Sequence, residues 1–141
     1  MELKHELIEA KVPVDVLYVS GRLDGSNFKE LISNAKQLLG SGSEYLLLDL
    51  AECNFLSSAG LFALHSIALI AHQLEPFDPE DGWQALYKMQ NEGNRDLKGK
   101  FKIVNLQPKV AHTLEISGIS SFLDIYTDSQ EALAAFGVIQ G

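Results

Sequence analysis

The chain has a single cysteine, Cys53, among 141 residues, so no disulfide can form within it. It also lacks the pattern of an export signal, because Met1–Lys11 contains no basic stretch followed by a long apolar run. A chain with neither feature is typical of a reducing compartment. We therefore expect a cytoplasmic protein.

Basic residues are scarce as well, with 11 Lys and Arg against 19 Asp and Glu and a formal net charge of −8. This charge opposes direct binding to nucleic acid and to anionic membrane surfaces. Long apolar runs are missing, since the most apolar stretch, Ala59–Ala71, is interrupted by His65 and Ser66. It is too short to cross a bilayer, so we expect no membrane span.

The length and the 46% hydrophobic composition predict one domain, residues 1–141, with a single core. Strand and helix patterns alternate after an opening hairpin, which favours an open mixed, mainly parallel sheet of about five strands with about four helices. The predicted strands are Leu3–Ala10, Val14–Ser20, Tyr45–Leu50, Lys100–Asn105 and Phe122–Tyr126. The predicted helices run from Asn27 to Gly40, onward from Ser57-Ser58, from Pro108 to Gly118, and from Asp128 to Gly137.

An acidic segment, Glu75–Asp96, interrupts this alternation between the second helix and the next strand. It holds six acidic and two basic residues, and prolines and glycines punctuate it. We interpret it as an insertion, at about residues 75–96. Two interpretations remain open: a solvated surface loop, or a recognition element with aromatic anchors at Phe77, Trp83 and Tyr87.

The most informative pattern is the buried strand Tyr45–Leu50, a predicted short loop over Ala51–Leu56, and then Ser57-Ser58-Ala59-Gly60-Leu61. This places two hydroxyls at the first turn of an apolar helix. Backbone N–H groups point outward there, and the helix dipole favours negative charge. A phosphate on Ser58 would be well accommodated, although simple N-capping also accounts for both serines.

Three motifs in the same order resemble a STAS domain, and in particular the bacterial anti-sigma factor antagonists. The first is Gly21-Arg-Leu-Asp24, after a strand. The second is Asp49-Leu50 followed by Phe55-Leu-Ser-Ser58-Ala-Gly60-Leu61. The third is the later series Leu106-Gln-Pro108, Leu114, Gly118-Ile119, Phe122 and Tyr126. The resemblance spans about 115 residues outside the insertion.

The resemblance implies partner switching. In this family the unphosphorylated antagonist binds an anti-sigma factor that is also a serine kinase, phosphorylation of one serine ends that binding, and a phosphatase resets the switch. Ser58 matches the phosphoacceptor, while Ser57 stands where the family often has aspartate. Asp24 matches the turn aspartate, which could hydrogen-bond the acceptor hydroxyl or repel its phosphate. The implied partner-binding surface comprises Asp24, Gly25, Ser26, Ser57, Ser58, Ala59, Gly60, Leu61 and Phe62.

The alternative function is a STAS scaffold or adaptor that is not phosphorylated and serves a signalling assembly or a membrane transporter complex. Homo-oligomer formation also stays open. Enzyme activity is not expected, because a hydrolase elbow needs glycine where Leu56 stands. We expect no cofactor and no metal, since His65 and His72 are seven residues apart without other ligands beside them.

Overall fold

A five-stranded mixed sheet carries helices on both faces in the computed structural model, which describes residues 1–76, 78 and 98–137. The strands are β1 (Glu2–Glu9), β2 (Pro13–Leu23), β3 (Leu46–Leu56), β4 (Phe101–Val104) and β5 (Asp124–Tyr126). The described helices are α1 (Phe28–Gly40), α2 (Ser58–Ala71), α3 (Pro108–Ser117) and α4 (Ser129–Ala135), with a 3₁₀ turn at Ile119–Ser121.

The strand order is β1-β2-β3-β4-β5, with β1 antiparallel to β2 and every other pairing parallel. This confirms the predicted hairpin and the predicted mixed, mainly parallel sheet. Local signals placed the later helices well, because Pro108 is the first residue of α3 and Gly118 follows it in the left-handed conformation. Asp128 caps α4 by accepting a hydrogen bond from the Gln130 amide.

The predicted loop over Ala51–Leu56 is wrong, because β3 continues through it and pairs with β2 as far as Leu56. The pairing register shifts twice in this stretch, and each shift inserts one extra residue in β3. These bulges break the two-residue alternation by which a strand is recognised in a sequence. The pairing of β3 with β4 ends at Asp49. Beyond this point side chains form hydrogen bonds with the backbone of β3: the Asp49 carboxylate accepts from the Ala51 amide, and the Gln107 side chain donates to the Ala51 carbonyl.

Two apolar layers lie on opposite faces of the sheet. The larger layer holds α1, α2 and α3. Most residues of α2 are buried in this layer, as expected for a helix that is apolar on nearly all sides. The smaller layer lies under α4, where Ala132, Leu133 and Phe136 cover Val14, Val16, Leu47 and Val104. The sheet is therefore covered on both faces, as its continuous apolar strands require.

One buried ion pair lies beneath α4. Lys102 is 3% exposed and is bonded to Asp124 of the neighbouring strand β5. The Lys102 ammonium also lies 5.0 Å from the ring centres of Tyr126 and Phe136. The carboxylate and the two rings together offset the cost of burying this charge.

The predicted acidic insertion falls almost entirely outside the described residues, as do its aromatics Phe77, Trp83 and Tyr87. Its position in the chain order agrees with the prediction, since α2 ends at Ala71 and the next described strand begins at Phe101. Its structural role stays a prediction.

Candidate functional site

The ends of β2 and β3 bring the turn after β2 beside the start of α2. Leu23 pairs with Leu56 in the last step of the strand register, and the Ser57 amide donates to the Leu23 carbonyl at 3.0 Å. The chain leaves β2 into Asp24-Gly25-Ser26 immediately after this bond. Two segments that are more than thirty residues apart in the sequence are thus fixed as neighbours at one edge of the molecule.

Ser57 and Ser58 have different roles at the helix start. Ser57 is the N-cap: its backbone is extended, and its Oγ accepts from the Gly60 amide at 3.4 Å. The Ser57 carbonyl accepts the first helical bond, from the Leu61 amide at 3.0 Å. The capping function predicted for the pair is therefore performed by Ser57.

Ser58 is the first residue of α2, and it is exposed. Within the described part of the chain, its hydroxyl makes no hydrogen bond. It stands at the start of α2, where the first amides have no acceptor in the preceding turn of helix, although the Gly60 amide is already bonded to Ser57 Oγ. The structure thus presents an exposed hydroxyl, with no hydrogen bond among the described residues, at a position that favours negative charge.

Gly60 explains how α2 approaches the end of β2 so closely. A Cβ on Gly60 would lie 3.0 Å from the Leu23 carbonyl oxygen and 2.4 Å from Cδ1 of Leu56. Only glycine fits this contact without displacement of a neighbour. The close approach holds the start of α2 against the end of β2, where the Ser57 amide is also bonded to the Leu23 carbonyl.

Phe62 also supports the site from beneath. It is 5% exposed and packs edge-to-face on Phe28 of α1, with ring centres 6.0 Å apart. Among the nine residues of the predicted surface, Gly25, Ser26 and Ser58 are exposed, Asp24, Ser57, Ala59 and Leu61 are half-buried, and Gly60 and Phe62 are buried. The structure brings all nine together, seven of them accessible.

Asp24 organises its own turn. Its carboxylate accepts from the Ser26 hydroxyl at 2.6 Å and from the Ser26 amide at 3.0 Å. These bonds, with a smaller contribution from Arg22, hold the pKa of Asp24 below its usual range. The described hydrogen bonds of the carboxylate go to Ser26 and not to Ser58, so the turn presents a fixed negative charge beside the helix start.

Asn27, where the first helix was predicted to begin, is the N-cap of α1 without a side-chain capping bond. Its side chain instead accepts from the Asp24 amide at 3.0 Å and donates to the Arg22 carbonyl at 2.8 Å. Asn27 therefore fixes the turn that carries Asp24, a role that its sequence position alone did not indicate.

An exposed pair that the sequence pattern did not indicate lies beside this turn. The Arg22 guanidinium lies 3.9 Å from the ring centre of Phe55, its cross-strand neighbour, and its Nε lies 3.6 Å from Asp24. Phe55 is 37% exposed. Arginine and aromatic side chains are frequent anchors of protein interfaces. The sequence pattern did not indicate Phe55 as a surface anchor, because Phe55 lies in the stretch that was predicted as a loop and is part of β3.

Other chemistry is limited in the described residues. Cys53 is buried beside the site, and burial raises the pKa of its thiol. No group of three or more His, Cys, Asp or Glu is arranged to hold a metal in residues 1–76, 78 and 98–137. No helix in that part of the chain has the length and apolar character needed to cross a membrane.

The chain was compared with protein-family models, with known proteins and with solved structures. No protein-family model matches the chain. The Bordetella bronchiseptica protein BtrV, which is named as an anti-sigma factor antagonist, is 25% identical over 118 residues, covering 84% of this chain and 82% of BtrV.

Two solved structures show the same fold. A Thermotoga maritima protein described as an anti-sigma factor antagonist superposes with a TM-score of 0.67 at 17% identity, covering 92% of this chain and 90% of that one. A STAS domain protein from Planctomyces limnophilus superposes with a TM-score of 0.59 at 18% identity, covering 93% and 96%. The chain has the STAS fold. Its resemblance to the bacterial anti-sigma factor antagonists is confirmed.

Proposed function

We propose that the chain is an anti-sigma factor antagonist controlled by phosphorylation of Ser58. In this proposal the unphosphorylated chain binds an anti-sigma factor that is also a serine kinase, and so frees a sigma factor in the bacterial cytoplasm. Phosphorylation of Ser58 ends the binding, and a phosphatase restores it. The chain acts as a regulatory binding protein and not as an enzyme.

The observation that carries the proposal is the difference between the two serines. Ser57 is engaged as the helix cap, whereas Ser58 is exposed at the first helical position. A kinase that reached this edge would find only the Ser58 hydroxyl without a structural role. The similarity to BtrV supports the same function for the whole domain.

The electrostatics favour a switch that acts on binding and leaves the fold intact. A phosphate on Ser58 adds about −1.5 to −2 charges, which the helix N-terminus tolerates. An interface that buries a neutral hydroxyl does not tolerate the same charge, because an unpaired buried ion costs several kcal/mol. The Asp24 carboxylate at this edge already has Arg22 as its ionic partner, so a phosphate on Ser58 would add a further negative charge that a partner evolved for the hydroxyl would have to desolvate.

The test is a calorimetric titration of three variants with the anti-sigma factor. We expect Ser58→Asp to bind at least about tenfold more weakly, a loss of about 1.4 kcal/mol, and Ser58→Ala to bind as wild type does. Ser41→Asp is the matched control, since Ser41 follows α1 at its far end, about 20 Å along the helix from the site. It should leave binding unchanged.

Equal affinities for Ser58→Asp and wild type would contradict control by charge. The constitutive scaffold or adaptor would then be the better interpretation, because such a domain binds its partner independently of modification. Equal losses for Ser58→Asp and Ser41→Asp would show that the effect is one of net charge and not of the site.

A further inference from the structure

The outer edge of β1 is an unpaired strand edge in the described part of the chain. β1 spans eight residues in regular register with β2, from Glu2 opposite Ser20 to Glu9 opposite Pro13. Among the described strands, only β2 pairs with it. No proline, glycine or bulge interrupts it, so its outward backbone groups form a template on which another strand can pair.

Symmetry restricts how a second copy can pair with this edge. A two-fold axis perpendicular to the sheet makes the two β1 strands antiparallel and keeps each sheet face on the same side. Residues that lie opposite one another then project to the same face, so their numbers differ by an even number. The centre of the pairing must fall on a residue, and the middle candidates are Lys4, His5 and Glu6.

Charge selects among these three registers. Centring on Lys4 places Lys4 opposite itself and Glu2 opposite Glu6, and centring on Glu6 places Glu6 opposite itself. Centring on His5 instead places Lys4 opposite Glu6 of the second copy, and it does so twice by symmetry. Opposite charges that face one another across strands stabilise the pairing, whereas like charges oppose it.

The same register matches the apolar residues on the other face of β1. It places Leu7 opposite Leu3 of the second copy, again twice. Leu7 is 55% exposed, one of the most exposed large apolar side chains described, whereas Leu3 packs against the larger core. His5 meets its symmetry mate at the centre, and within each copy Oδ1 of Asp15 lies 2.5 Å from Nε2 of His5.

We propose that β1 is a homodimer interface in which two copies pair antiparallel about His5 and form one continuous ten-stranded sheet. The occupant of the edge is a second copy of this chain, because the strand is self-complementary in charge and in apolar contact in this one register. Ser58 lies beyond the end of β3, two strands inward, so the dimer leaves the proposed switch site open.

Charge reversal tests the register. Sedimentation equilibrium should show a dimer for wild type, and Lys4→Glu or Glu6→Lys alone should weaken dimerisation at least about tenfold, because each creates two like-charge pairs. An equimolar mixture of the two variants should form a heterodimer, since both cross-strand pairs then carry opposite charges. Glu9→Lys is the matched control on the same strand. Its counterpart, residue 1, lies outside β1, so dimerisation should persist.

A cysteine at position 5 gives a second readout that does not depend on charge. Directly opposite residues in an antiparallel pair have Cα atoms about 4.5–5.5 Å apart, within the range that a disulfide spans. Oxidised His5→Cys should therefore form a covalent dimer, and Glu2→Cys, which lies opposite Ile8, should not. Three results would overturn the proposal: a monomeric wild type, undiminished dimerisation of each of the two single charge-reversal variants, or equal cross-linking at positions 2 and 5.

Discussion

Gly60→Ala is the sharpest test of how α2 is seated on the sheet edge. The added methyl group would lie 3.0 Å from the Leu23 carbonyl oxygen, an atom of a paired strand that cannot rotate away. Its other close neighbour, Cδ1 of Leu56 at 2.4 Å, belongs to a side chain that is 4% exposed and has little space to move into.

The expected loss follows from two opposing effects. Overpacking of this kind typically costs about 1–3 kcal/mol. Replacing glycine by alanine in a helix returns at most about 1 kcal/mol, and less in the first turn. We therefore expect Gly60→Ala to lower the free energy of unfolding by about 1–2 kcal/mol.

Urea unfolding measures this change, with Gly40→Ala as the matched control. Gly40 is the last residue of α1, and a Cβ there would meet nothing within 4 Å. The control should be unchanged or more stable by less than about 1 kcal/mol, because only helix propensity and unfolded-state entropy act. A Gly60→Ala protein as stable as wild type would refute the close approach of α2 to Leu23.

Three further outcomes follow from particular contacts. Ser57→Ala should lower the free energy of unfolding, measured in urea, by about 0.5–1 kcal/mol, because it removes the N-cap hydrogen bond to the Gly60 amide. A larger loss would mean that the Ser57 side chain has a structural role besides capping. Burial and the hydrogen bond to Glu6 raise the pKa of Tyr18 to about 12. Tyr18 therefore stabilises the fold below pH 10, and this contribution disappears as pH rises through 12; an ultraviolet pH titration should show a lower tyrosine pKa in Glu6→Gln. Asp124→Ala should lower the free energy of unfolding by about 3–5 kcal/mol, because it leaves the buried Lys102 ammonium without its carboxylate partner. A loss below about 1 kcal/mol would show that the aromatic rings alone stabilise the buried charge.

Most of the fold could be predicted because its signals are local. Proline at the start of α3, glycine after it and aspartate before α4 each act on their own helix end, so the sequence places them without knowledge of the rest. The alternation of strand and helix patterns was enough to indicate the sheet type.

The features that were missed depend on contacts between distant segments. The end of β3 resembled a loop because its bulges match β2, a strand about thirty residues earlier. The different roles of Ser57 and Ser58 depend on the bond from Ser57 to Leu23, and the requirement for Gly60 depends on the same carbonyl. Neither could be read from the serine pair alone, since both residues are suitable caps.

The measurement that tests the central claim most directly is the phosphorylation state of the chain in its own cells. Intact mass of the purified protein, followed by phosphopeptide mapping, should show a fraction that carries one phosphate, and that phosphate should be on Ser58. The phosphorylated fraction should also be absent from complexes captured with the anti-sigma factor. Phosphate on Ser57 alone, no phosphate under any growth condition, or phosphorylated chain retained in the complex would contradict the account.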